Sequence, residues 1–334
     1  MGLLLVAMAI AVPSTVVVMT NQLSDNMPRI PGVFKGIPAS ARPQVPAADR
    51  ESMTILLVGS DSRSARQPLA AEQGEQPSAD AAVLVHLSAS GRAVSVISIP
   101  RNSWVRAPGF GMTVFYNVLS LGGPPLMIRT VELLTGIRID HYAVIDLAGL
   151  GSLVRVLGGV QVAVARSTRR EGIAFHKGVN ELTPRSAMVY ASTATRLDGC
   201  PCWQRNGRPG GDLSRVQRQQ NLLRAIIAKA ASWHPLTSPI ALYRLIDALS
   251  HIVSVDSTFT NSEFRSLALR LAALHDGDFT FLTAPVRALG WRDHLRAVFL
   301  NRAQCATLWD AVSHDGVASW AARHPALLTP AVPY

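Results

Sequence analysis

Seven polar side chains sit near the ends of apolar runs, and their types suit one chemistry. Asp61 and Arg63 close the string "ILLVGSDSR", Asp80 leads into "AAVLVHL", and Arg101 follows "VSVISIP". Farther on, "GGDLSRVQRQQNLLRAI" carries Arg215, Arg218 and Gln219. Spaced i, i+3 and i+4, these three share one face of a helix. Arginines offer planar, bidentate donors to phosphate oxygens. Aspartates suit Mg²⁺, which takes one or two carboxylates together with phosphate oxygens. Asp61 and Asp80 are therefore the candidate metal ligands, and with Arg101 the candidate catalytic groups. Arg63, Arg101, Arg215, Arg218 and Gln219 are the candidate grip on a pyrophosphate. Each residue also has a plainer use alone: Asp212 suits an N-cap, and the others suit surface ion pairs. Their joint placement points to a pyrophosphate with a divalent cation.

These residues need a scaffold, and the pattern predicts one. Thr54 to Gly59 is a short apolar run ending in glycine, as a buried strand should be. "AAVLVHL", "SASGR" and "AVSVISIP" predict two strands and a tight turn. "PLMIRTVELLTG" predicts a helix capped by Gly136. "HYAVIDL" and "VQVAV" predict strands around a helix that ends at Gly158. Residues 165–183 read as irregular, and "PRSAMVYASTAT" as a helix with Pro184 in its first turn. A loop over 196–211 leads to helices over 212–232, 238–251 and 261–275. "DFTFLTAP" and "HLRAVFL" predict late strands, and "NRAQCATLWDAV" a final helix. Strands alternating with helices predict an α/β fold, an α-β-α sandwich with a central mixed sheet. Asp61 and Arg101 would then lie past strand C-termini, where ligands of such sheets bind.

Length and composition narrow the alternatives. The chain has 334 residues, 48% hydrophobic and 16% charged, with a formal net charge of +10. An arginine-rich balance fits an anionic partner, although codon bias produces the same composition. Leu3 to Met19, "LLLVAMAIAVPSTVVVM", is uncharged. It reads as a transmembrane anchor over 1–20, with a signal-peptide core as the alternative. An export segment argues against a nucleic-acid partner. Residues 21–52 read as a linker or lead-in, and 53–334 as a single domain. Cys200, Cys202 and Cys305 are expected to form one disulfide, between Cys305 and one of the pair, or to stay as thiols. There is no G-x-S-x-G elbow and no P-loop, and "GLGSLV" lacks the third glycine of a dinucleotide fingerprint. The nine histidines show no metal-binding spacing.

Four strings occur together in a known order: "ILLVGSDSR", "VSVISIPRNSWV", "NVLSLGGPPLMIRTVELLTGIRIDHYAVIDLAGLGSLVRVLGGVQV" and "GGDLSRVQRQQNLLRAI". Over roughly residues 53–313 the chain resembles the LytR–CpsA–Psr family. The resemblance implies an extracytoplasmic, membrane-anchored phosphotransferase. Such an enzyme moves a glycopolymer from a polyprenyl-pyrophosphate carrier to peptidoglycan with Mg²⁺, and a greasy channel holds the lipid tail. "LMIRTVELL" and "LGSLVRVL" could wall that channel or be plain core. By position, Asp61 and Asp80 match the family's metal-associated aspartates, Arg101 its P-R-D arginine, and Arg215, Arg218 and Gln219 its basic helix. Ser78, Asn102, Ser192 and Ala194 stand where the family usually has an arginine, an aspartate and two arginines. These departures leave an alternative, a member that binds polyprenyl phosphates or scaffolds wall assembly without transfer.

Overall fold

The computed structural model describes residues 26–46, 49, 51–60, 79, 81–147, 149–192, 211–232 and 239–330. Seven strands form the central sheet: β1 (Arg29–Ile30), β2 (Met53–Ser60), β3 (Ala81–Leu87), β4 (Val94–Ile99), β5 (His141–Asp146), β6 (Val253–Asp256) and β7 (Phe279–Thr283). Their order is β1-β6-β5-β2-β3-β4-β7. The pairs β2–β5, β4–β7 and β1–β6 are parallel, whereas β2–β3, β3–β4 and β5–β6 are antiparallel. The sheet is therefore mixed, as expected, and β2, β4, β5 and β7 all end at one edge.

Among the described residues, eight helices accompany it: α1 (Asn117–Thr135), α2 (Leu150–Val156), α3 (Pro184–Ser192), α4 (Gly211–Ser232), α5 (Pro239–Ile252), α6 (Asn261–Ala272), α7 (Arg302–Ser313) and α8 (Val317–Arg323). All residues of β4 are buried, because helices cover both faces. Ile97 and Ile99 pack in a cluster with Met127 and Val131 of α1, Leu308 of α7 and Trp320 of α8. Val94 and Val96 pack on the other face, beside Leu223 and Ile227 of α4 and Leu267 of α6. A separate cluster joins α2, α3, α4 and α5. The apolar stretches of α1 and α2 are thus core rather than channel wall: Met127, Ile128, Val131 and Val154 have no exposed surface.

Local sequence chemistry explains the element ends. α1 stops at Gly136, whose φ of 70° is the left-handed cap and whose N–H donates to Glu132 O at 2.8 Å. α6 begins at Thr260 with a capping box completed by Glu263, and Asn301 caps α7.

Several expectations need correction. The lead-in expected over 21–52 is part of the domain from at least Asn26 onward. β1 adds to the sheet edge, and Ile30 and Val33 enter the main core. Arg42 forms a buried ion pair with Glu132 of α1 at 2.7 Å, and Glu132 also accepts the Ile139 N–H at 3.0 Å. Proline-rich composition conceals such docking, because it is achieved by a few anchors rather than a periodic face.

The stretch 165–183 is not irregular. Residues 168–170 pair with 173–175, and 178–182 pair with 160–164. The first hairpin turns at Glu171 and Gly172, whose φ values of 47° and 79° match the right-handed twist of paired strands. The helix over 302–313 is followed by α8. Strand pairs 104–107 with 111–114, and 286–292 with 295–300, add hairpins, of which only the last strand was expected. β6 was hidden because it follows α5 without a break. The N-terminal apolar segment lies outside the described residues. Among the described residues, no helix is long and apolar enough to cross a membrane. Cys200 and Cys202 also lie outside them. Cys305 is a free buried thiol, not half of a disulfide. Its sulfur contacts Pro285 O at 3.6 Å, and burial pushes the thiol up to about 11.

Two Asp–His pairs, one fully buried and one half-buried, tie distant parts together. Asp256 contacts the His141 ring at 3.1 Å and accepts the Tyr142 N–H at 3.0 Å. Asp315 reaches His86 at 2.8 Å, and His86 in turn reaches Thr54 at 2.9 Å. Burial alone would raise both carboxyls. Their hydrogen bonds outweigh it and hold both below the ordinary 3.8. Carboxyls depressed on folding add stability above their unfolded value, and that stability is lost as pH falls through the folded value. Acid unfolding should therefore steepen below about pH 4, and Asp256→Asn should flatten that limb. Glu132→Gln strands Arg42 in the core, and denaturant titration should show a loss of about 3 kcal/mol.

Candidate functional site

Of the predicted site residues, Arg101 follows the end of β4, and Arg215, Arg218 and Gln219 lie on α4, which Gln220 ties to β4 and β7. Gly59 of β2 pairs with Ala81 of β3, and Ser60 pairs with Asp146 of β5. Asp61 and Asp80 each flank one of these strand ends. Asp61, Arg63 and Asp80 themselves lie outside the described residues, as do Ser78, the loop over 193–210 and the Asp212 side chain. The ladder alone places Ser60, Ala81 and Asp146 at one edge. Asp146 is a half-buried carboxylate that the sequence reading passed over, because it sits inside a string read only as a strand.

Arg101 follows β4 in a tight turn in which the Ser103 N–H donates to Pro100 O at 2.9 Å. Its carbonyl accepts the Tyr116 N–H at 2.8 Å, and its guanidinium lies over the Tyr116 ring, 5.0 Å from the centroid. A cation over an aromatic face is held by the ring quadrupole. The half-buried Arg101 is thus aimed by both backbone and ring. Asn102, at the position where the family resemblance led us to expect an aspartate, is buried, and its carbonyl accepts the Val298 N–H at 2.8 Å.

The early turns of α4 bury two arginines. Arg218 has no exposed surface, and Arg215 is 8% exposed. The Arg218 Nε donates to Tyr190 O at 2.9 Å, near the C-terminus of α3, where helix carbonyls attract a cation. Tyr190 is itself buried, and its hydroxyl accepts from Asn221 Nδ2 at 3.0 Å. Burial pushes the Tyr190 hydroxyl up to about 12. Burial also lowers Arg218 to about 10, and repulsion from Arg215 and Arg170 adds to that shift. The guanidinium still holds its proton at neutral pH. Three arginines therefore share one electrostatic neighbourhood, which favours an anion of high charge.

Gln219 is half-buried, whereas its neighbour Gln220 is buried. Gln220 Nε2 donates to Ser98 Oγ at 2.7 Å and to Leu282 O at 2.5 Å, and its Oε1 accepts from the Thr329 hydroxyl. Gln220 therefore clamps α4 to β4 and β7 just below the edge. Sequence reasoning missed Gln220 and Asn221, since only tertiary packing separates one glutamine of a doublet from the other. Arg170 was missed with its hairpin. Its one signal was "TRREG", two arginines ahead of a turn-forming glycine. Among the described residues, no group of three or more His, Cys, Asp or Glu side chains is arranged to hold a metal.

Comparison with known proteins bears on the family and the fold. The LytR_cpsA_psr family model matches residues 7–312. The probable cell wall biosynthesis protein LcpB of Corynebacterium glutamicum is 32% identical over 258 residues, covering 74% of this chain and 57% of the relative. The polyisoprenyl-teichoic acid–peptidoglycan teichoic acid transferase TagU of Enterococcus faecalis is 26% identical over 240 residues, covering 72% and 73%. The chain spans 57% and 50% of the lengths of two corynebacterial relatives, LcpB and LcpA. Among solved structures, Bacillus subtilis TagV superposes with a TM-score of 0.62 at 21% identity, over 80% of this chain and 98% of that one. A TagT structure with bound octaprenyl pyrophosphate lipid gives 0.56 at 20% identity, over 82% and 94%. These likenesses establish a shared fold.

Gln220 and Gln219 should separate in their effects. Gln220→Leu leaves the Leu282 carbonyl and Thr329 hydroxyl without this partner, and should cost about 2 kcal/mol by denaturant titration. Gln219→Ala should change stability by less than about 0.5 kcal/mol.

Proposed function

The chain belongs to the LytR_cpsA_psr family, and on that premise we propose that it is a glycopolymer–peptidoglycan phosphotransferase. The observation that carries this reading is the burial of Arg215 and Arg218 on α4, with Arg170 of the 168–175 hairpin close enough to repel Arg218. A pyrophosphate offers such guanidiniums anionic oxygens that a neutral substrate lacks. Phosphoryl transfer depends mostly on positioning and on charge neutralisation. A cluster of cations supplies both.

In this reading the donor is a polyprenyl-pyrophosphate-linked glycopolymer. The acceptor hydroxyl oxygen bonds to the glycopolymer-side phosphorus. The bridging P–O bond breaks, and its electron pair leaves with polyprenyl phosphate. The hydroxyl proton passes to a carboxylate, with Asp61 and Asp80 the candidates. Arg215, Arg218 and Arg170 hold the phosphate oxygens. Arg101 holds the same group from the β4 end, and Arg63 and Gln219 complete the grip. Mg²⁺ supplies charge neutralisation when bound. Its fit rests on donor chemistry: two hard carboxylates flank strand ends that the β2–β3 ladder sets side by side. The lipid tail runs between the sheet and helices α4 and α6. There Val83, Val85, Leu223, Ile227 and Leu267 are only half-buried although they face one another. The apolar segment over 3–19 anchors the domain to the outer face of the membrane.

Arg218→Ala should weaken polyprenyl-pyrophosphate binding about 10- to 100-fold, the worth of one charge-assisted contact, and should erase the ligand's thermal shift. Transfer to peptidoglycan fragments should stop when Mg²⁺ is chelated, and in Asp80→Ala, with lipid binding retained. Unchanged transfer in Asp80→Ala would remove that aspartate from the mechanism. Lipid binding by the wild type without any transfer would leave only a carrier role.

A further inference from the structure

A second concavity lies on the sheet face opposite α4. It has a volume of about 1210 Å³ and runs between α1, α7 and the two hairpins over 104–114 and 286–300. Trp104 and Phe299 line it, with Arg106, Arg287, Arg302 and Asp310 around them. Three cations against one carboxylate make it positive. All three arginines are exposed, and none makes an ion pair among the described residues. The groove is therefore a ready anion surface rather than a set of internal braces. Aromatic faces beside unpaired arginines suit a chain of sugar rings that carries carboxylates. A detergent-like lipid would not use the arginines, and a neutral glycan would leave them unmatched.

Along the chain, the groove's lining begins just past the turn that carries Arg101. Trp104 is three residues beyond Arg101. The segment between them is sewn to the 286–300 hairpin by the Val298 N–H to Asn102 O bond and by the Ser103–Val298 bridge. It also lies on the correct side. In-line displacement requires nucleophile and leaving group on opposite sides of the transferred phosphorus. The half-buried apolar lane for the leaving lipid is on the α4 face, and this groove opens on the α1 and α7 face.

We propose that this groove seats the acceptor, a peptidoglycan-type oligosaccharide whose carboxylates pair with Arg287 and Arg302 and whose sugar rings lie on Trp104. The assignment rests on the transferase reading for its direction, but the binding it describes can be measured alone. The test is titration of the full chain with soluble peptidoglycan fragments, comparing wild type with Arg287→Ala/Arg302→Ala and with the charge-reversed Arg287→Glu/Arg302→Glu. Both substitutions are on exposed side chains, and thermal unfolding together with polyprenyl-pyrophosphate binding reports whether the fold and donor site persist. Fragment affinity should fall roughly tenfold in the alanine pair and further in the glutamate pair, with the KM for acceptor rising and donor binding unchanged. Wild-type affinity should also fall as salt rises. Equal fragment affinity in all three proteins overturns the proposal, even if every protein transfers normally. Charge-dependent fragment binding by a wild type that transfers nothing supports the groove and removes the transferase reading instead.

Discussion

Burying Arg218 while keeping it charged is the constraint around which this half of the molecule is organised. A guanidinium removed from water needs its donors directed at oxygens. The C-terminal turn of α3 supplies one at Tyr190, and Asn221 holds the Tyr190 ring in place one turn farther along α4. Gln220, between them in sequence, faces the other way and binds β4 and β7 together. Three positions within one turn of α4, 218, 220 and 221, thus fix the helix against α3 on one side and the sheet edge on the other. The arrangement leaves Arg215 and Arg170 close enough to repel Arg218.

The sheet separates two environments with different packing. On one face, α1, α7 and α8 make a dense core in which Leu56, Leu84, Ile97, Val131, Leu308 and Val312 have no exposed surface. On the other, α4 and α6 approach the same strands through side chains that stay half-buried. The dense face keeps the strand ends, and therefore Arg101 and the flanks of Asp61 and Asp80, at constant spacing. The looser face can accept an apolar ligand without first disrupting a close-packed interior. Arg42–Glu132 and His141–Asp256 fasten the periphery to this scaffold, one through the lead-in and one between β5 and β6.

Much of the scaffold was legible because its periods are strong. β2, β3, β4 and β5 are short apolar runs bounded by turns, and α4 and α6 announce themselves with apolar spacing and caps. The elements that escaped are those whose pairing partner lies far away. β1 is two residues long and exists only because β6 offers an edge. β6 continues directly from α5. The 168–175 hairpin is held by its turn geometry rather than by apolar alternation. The site divides in the same way. Arg101, Arg215 and Arg218 stood out by type and position, whereas Arg170, Asp146, Gln220 and Asn221 did not.

Sequence by itself determined the family, the mixed α/β architecture and the arginine-bearing helix that became α4. These follow from local periodicity, caps and residue order, which are properties of neighbours along the chain. Tertiary structure alone decided which glutamine of the doublet is a brace, that Arg170 joins Arg215 and Arg218, that Cys305 is a packed thiol and that residues 26–46 belong to the domain. Each depends on burial and on the field of groups distant in sequence. A side chain's desolvation and its partners are set only when the chain has closed around it.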